Sequence, residues 1–131
     1  MVRRFMCAGG IAVLVAAIPA PLAAHHAFAA EFDSRQPILF NATVTKMDWI
    51  SPHVWIHVDV VKPDGTTEKW MAEGGAPTVL FRRGFTKASL APGTKVVVDG
   101  YRARDGSRKM NARAITLPDG RKLFPSGDQN R

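Results

Sequence analysis

The strongest constraint in this chain is a stretch of strict alternation. From His53 to Val61, the residues Val54, Ile56, Val58 and Val60 point one way, and His53, Trp55, His57 and Asp59 point the other. A period of two belongs to a β-strand with one buried face. An isolated strand or hairpin is marginal in water, so its neighbours must also be strands. Lys62-Pro63-Asp64-Gly65 supplies a hairpin turn: Pro presets φ, Asp caps the turn and Gly takes positive φ. A strand is predicted after it, Thr66 to Ala72, and a longer one before it, Ile38 to Ile50, with room for a bulge.

Gly74-Gly75 ends this first block. Ala76 to Arg83 then reads as a short helix, with Pro77 in its first turn and Gly84 closing it. Thr86 to Leu90 adds a further helical turn, and Ala91-Pro92-Gly93 is a loop. Strands follow at Lys95 to Arg102 and Met110 to Leu117, separated by the turn Arg104-Asp105-Gly106-Ser107. Pro118-Asp119-Gly120 turns into a last short strand at Arg121 to Phe124. His25 to Gln36 is an extended lead-in, and Pro125 to Arg131 a short flexible tail. This order predicts a mostly β fold. The expected architecture is a small five- to six-stranded OB-like barrel with one short helix between strands three and four. A small open β-sandwich is the alternative.

The N-terminus has a different grammar. Met1-Val2-Arg3-Arg4 is a basic start, Ile11 to Ile18 is an apolar run, and Pro19 to Ala24 is rich in small residues. These are the three regions of a secretory signal peptide. The apolar run is shorter than the roughly 20 residues that cross a bilayer. The expected organisation is a signal peptide over residues 1–24 and a single domain over residues 25–131 that is periplasmic or secreted and not an integral membrane protein after processing. Cleavage after Ala29 competes with cleavage after Ala24, because Ala27-Phe28-Ala29 is the better small-residue match. The lone Cys7 precedes the apolar run, so the processed chain has no thiol. Disulfide staples and thiol chemistry are excluded for it. The net charge of +7 includes Arg3 and Arg4, so the domain keeps +5, which attracts anions.

All four histidines fall in two short blocks, His25-His26 and His53 with His57. Imidazole is the commonest metal-ligating side chain. His53 and His57 share a strand face about 13 Å apart, too far to grip one ion together. Either can pair with the His25-His26 block or with Glu73. A free N-terminal His25 would offer its amine and Nδ1 to copper(II), which suits nitrogen ligands in tetragonal geometry. The candidate metal set is therefore His25, His26, His53, His57 and Glu73. A second candidate surface combines Trp49, Trp55 and Trp70 with Arg82, Arg83, Arg102 and Arg104. It would dock an anionic envelope component such as a polysaccharide or a lipid head group. Export argues against nucleic acid as the partner. No Gly-x-Ser-x-Gly elbow, phosphate loop, His-Glu-x-x-His or cysteine nucleophile occurs in the domain. An enzymatic role would need His53, Glu73 and Asp59 to converge.

Several blocks resemble one known family. They are His25-His26-Ala27-Phe28-Ala29-Ala30-Glu31-Phe32-Asp33, Trp49-Ile50-Ser51-Pro52-His53-Val54-Trp55, Glu73-Gly74-Gly75-Ala76-Pro77 and Leu80-Phe81-Arg82-Arg83-Gly84-Phe85-Thr86. Gly100 to Gly106 and Leu117 to Arg121 also fit. Together they are similar to the small exported bacterial family of unknown function numbered 6152. That family usually has Asn where this chain has Ser51, and often Trp where it has Phe85. The resemblance implies an exported single-domain β protein and no established activity. It also places the His-His block inside the domain, which favours cleavage after Ala24. Intact-mass analysis of the exported protein is expected to give a chain beginning at His25. A chain beginning at Ala30 would remove the terminal chelate.

Overall fold

The computed structural model describes residues 27–123. The segment expected to be a signal peptide, His25, His26 and the tail from Pro125 lie outside the described residues. The elements are β1 (Phe32–Asp48), β2 (Trp55–Val61), β3 (Thr67–Glu73), helix α1 (Pro77–Arg82), a 3-10 turn (Lys87–Ser89), β4 (Lys95–Ala103), β5 (Lys109–Thr116) and β6 (Lys122–Leu123). The protein is mostly β, as the alternation and the spacing of turns require. Among the described residues no helix is long and apolar enough to cross a membrane.

The strands follow the order β3-β2-β1-β4-β5-β6, and these neighbours are antiparallel. One further pairing is parallel: Met71, Ala72 and Glu73 of β3 lie against Lys109, Met110 and Asn111 of β5. It joins the two ends of the five-strand series into a ring. β1 makes the ring possible because it is long enough to serve two partners. Residues from Phe32 to Thr43 pair with β4, and Thr43 to Asp48 pair with β2. A bulge between Val44 and Lys46 bends it. An extra residue on one side of a ladder increases local twist and lets a strand turn a corner.

The interior is filled as the alternation predicts. Val54, Ile56 and Val58 from β2 are buried with Val44, Val98, Met110 and Ile115. Helix α1 gives this core Leu80, and the segment after it gives Phe85 and Leu90. With six residues the helix is too short to be stable alone, so Leu80 anchors what propensity cannot hold.

The lead-in is the main departure from expectation. Residues 27–31 are helical rather than extended, and β1 starts at Phe32, well before Ile38. The cause is tertiary. The Phe28 ring packs against Phe32 at 5.8 Å and edge-on against Tyr101 at 5.9 Å. Arg104 donates from Nε to the carbonyls of Ala29 (2.7 Å) and Phe32 (3.1 Å), and its backbone N–H donates to Glu31. Asp33 is buried and accepts hydrogen bonds from Arg35 and Gln36. Those bonds, led by the Arg35 side chain, hold its carboxyl far below the usual carboxylate range.

Gly100 marks the tightest backbone approach. A β-carbon there would meet the backbone carbonyl of Asn111 on β5, with the Met110 methyl at 2.8 Å. Gly100→Ala is expected to cost about 1–3 kcal/mol or more through overpacking. Ile56→Ala is expected to cost about 2–5 kcal/mol through a cavity. Urea denaturation measures both. A neutral Gly100→Ala would show that β4 and β5 do not approach this closely.

Candidate functional site

The ring brings one end of β2, β3 and β5 to a common point. The β2–β3 hairpin pairs Trp55 with Glu73, so His53 lies just beyond that pair. Val54 fixes the approach: its N–H donates to Gly75 at 3.1 Å, and its carbonyl accepts from Gly74 at 2.7 Å. The Ser51–Pro52 peptide before His53 is cis.

His53 Nδ1 meets Glu73 Oε1 directly. The imidazole is about half exposed, whereas Glu73 is only 5% exposed. The Asn111 side chain, brought alongside by the parallel β3–β5 register, hydrogen-bonds Glu73. Burial pushes the Glu73 carboxyl up from its ordinary value, and the nearby charge of Glu31 pushes it further. His53 and Asn111 oppose that rise and do not cancel it. Around this pair lies a cleft of about 330 Å³, lined among others by Ala27, Phe28, Phe32, Asn111 and Val79. The result is a buried carboxylate with an exposed imidazole above it and two phenylalanines at its side.

His57 does not join this group. It bonds Asp48 at 2.7 Å, and Asp48 also takes Lys46 at 2.7 Å. Lys46 first, then His57, hold the Asp48 carboxyl below its usual value. Asp59 pairs with Lys69 on the far stretch of the hairpin, so His53, Glu73 and Asp59 do not converge. Among the described residues no three histidine, cysteine or acidic side chains cluster in a way that could hold a metal ion. The structure unites His53 with Glu73 and separates His57 from both. His25 and His26 lie outside the described residues.

The aromatic and basic candidates also divide. Trp70 is 4% exposed and belongs to the core, because it faces inward in register with Val58. Its indole Nε1 donates to Glu68, Phe40 packs on it, and Arg102 lies over its ring at 5.5 Å. Arg104 is spent on the lead-in carbonyls. Trp55 is half-buried on β2, and Trp49 stacks on Phe85 at 6.1 Å. Arg82 and Arg83 are exposed on and after α1. Sequence reasoning missed Asn111, Glu31 and Phe28 as cleft residues, and Asp48 as the partner of His57.

A family model described as a family of unknown function, DUF6152, matches residues 12–112. The chain belongs to this family. No curated protein and no solved structure matches it. The matched span contains His53, Glu73, Gly74, Gly75 and Asn111, the polar centre of the cleft.

A carboxylate kept buried against its preference for water is a destabilising choice. A group whose folded pKa is raised contributes its stability at low pH and loses it as pH rises through the folded value. Glu73→Gln keeps the shape and the hydrogen-bonding edge without the charge. Its melting temperature in mildly alkaline buffer is expected to equal or exceed that of the unaltered protein. A clear drop would show that the charged carboxylate is a net stabiliser and not a group held for a task.

Proposed function

We propose that the protein is an exported binding module, periplasmic or secreted, built as an OB-like barrel, whose cleft takes a transition-metal ion, copper first. Support for the barrel comes from the ring β1-β2-β3-β5-β4, its parallel β3–β5 closure and the helix placed between β3 and β4. The observation that carries the site is the contact between His53 Nδ1 and the buried Glu73 carboxylate. A carboxylate that accepts the Nδ1–H of a histidine fixes its tautomer and leaves Nε2 with a free lone pair. That is the arrangement by which proteins orient a metal-ligating histidine. On this reading His53 is the ligand, and Glu73 is a positioning residue behind it rather than a ligand.

One imidazole is not a site, and further ligands are needed. Ala27 lines the same cleft, and His25-His26 immediately precede it in the sequence. With cleavage after Ala24, the terminal amine of His25 adds a further nitrogen. Neutral nitrogen donors of this kind suit copper(II) better than harder cations.

Calorimetry of the exported protein with copper(II) tests the reading. Binding tighter than tens of micromolar is expected at neutral pH. His53→Ala, or a chain starting at Ala30, should weaken it at least tenfold. Glu73→Gln should weaken it by about 10- to 100-fold, the range for a lost orienting partner. Binding no tighter than tens of micromolar in the unaltered protein would end the metal reading.

A further inference from the structure

Five large apolar side chains stand well exposed among the described residues: Leu39, Ile50, Val61, Val79 and Phe81. Three of them belong to α1 and the β1–β2 loop. Phe81 is 67% exposed, although the helix carrying it is held in place by the fully buried Leu80. Phe81 shares a groove with Trp49, Pro77 and Arg82, and Ile50, 53% exposed, follows Trp49 directly. The Trp49 ring is braced by stacking on Phe85. These are rigidly presented apolar groups with no core to enter.

The charges beside them have one sign. Arg82, Arg83 and Lys87 are exposed, and among the described residues none of them forms an ion pair. Elsewhere the cations Arg35, Arg104, Arg108, Arg113 and Arg121 all have carboxylate partners. From Gly74 to Leu90, and from Trp49 to Pro52, there is no Asp, Glu, Asn or Gln. A sugar-binding surface needs such groups to meet hydroxyls. A surface for an acidic protein would not need an apolar wedge beside its arginines. Apolar side chains next to unpaired cations match a bilayer interface, where the acyl boundary takes the first and lipid phosphates take the second.

We infer that the α1 end of the molecule docks on an anionic phospholipid membrane, with Phe81 and Ile50 entering the interface and Arg82, Arg83 and Lys87 on the head groups. Trp49 stiffens the wedge from behind. Val79, on the same helix, lines the His53–Glu73 cleft, so docking would bring the rim of that cleft to the membrane surface. The inference rests on surface composition and does not depend on copper binding.

Cosedimentation of the exported protein with vesicles provides the test. Binding is expected to phosphatidylcholine vesicles containing phosphatidylglycerol and not to phosphatidylcholine alone, and high salt should reduce it. A cation near an anionic surface changes partitioning about fivefold, so Arg82→Gln with Arg83→Gln should weaken binding about 10- to 30-fold. Phe81→Ser should weaken it about tenfold, whereas Leu39→Ser should leave it unchanged. All these positions are exposed, and circular dichroism confirms that each variant is folded. Equal binding to both vesicle types, no binding to either, or insensitivity to Phe81→Ser would overturn the inference. So would dextran sulfate binding that needs the arginines but not Phe81, since that would mark a site for anionic polymers.

Discussion

The parallel pairing of Met71, Ala72 and Glu73 with Lys109, Met110 and Asn111 joins the β2–β3 hairpin to β5. Without it the sheet would be open, with β3 and β5 exposing unpaired backbone groups at its two edges. With it the apolar faces of β2, β4 and β5 enclose a common interior. β6 adds to β5 at Ile115 and Thr116, beyond the stretch that β3 reaches. The same three-residue contact sets the cleft, because its last pair is Glu73 with Asn111. Gly100 has to be small for a related reason: a β-carbon there would meet the Asn111 backbone. Core closure and site geometry therefore share one register.

That register decides the chemistry available to Glu73. At a hairpin end a glutamate would ordinarily be solvated. Here β5 covers one side, the Phe28–Phe32 pair lines the cleft, and among the described residues His53 and Asn111 meet the carboxylate as polar partners. Desolvation raises its proton affinity, and Glu31 adds to the effect. His57 and Asp48 show the contrast within the same strand pair. That carboxylate lies nearer water between a lysine and a histidine, and its proton affinity falls. Two histidines of one strand face thus meet carboxylates pushed in opposite directions, and burial makes the difference.

The legible parts of the fold were those written locally. The alternation in β2 placed Val54, Ile56 and Val58 inside, and the Pro-Asp-Gly turn located the hairpin. That turn also carries the register. Since Val61 pairs with Thr67, Trp55 must pair with Glu73, and His53 must lie two residues beyond Trp55. The His53–Glu73 contact was therefore present in the hairpin arithmetic. Trp70 was readable in the same way: it shares parity with Ala72 and pairs with Val58, so it had to be a core residue. What had no local signature was the contribution of distant elements. Asn111 reaches the cleft through a parallel pairing between strands far apart in sequence. Phe28 reaches it because Tyr101 and Arg104 capture the lead-in, and no periodicity in residues 27–36 announces that capture.

The capture of the lead-in also bears on how the positive charge is distributed. Arg104 gives up its role as a surface cation to hold the carbonyls of Ala29 and Phe32, and Arg102 gives up its own to cover Trp70. Arg82, Arg83 and Lys87, on and after α1, are exposed and form no ion pair among the described residues. A positive domain with most of its arginines used internally has, in effect, sorted its charge. The arginines Arg104, Arg108 and Arg113 on the β4–β5 side have carboxylate partners, and among the described residues the arginines of the α1 end do not. The cleft sits between these regimes, with Phe28 on the captured side and Val79 on the α1 side. Both walls are held by packing, Phe28 against Phe32 and Tyr101, and Val79 on a helix anchored by the buried Leu80.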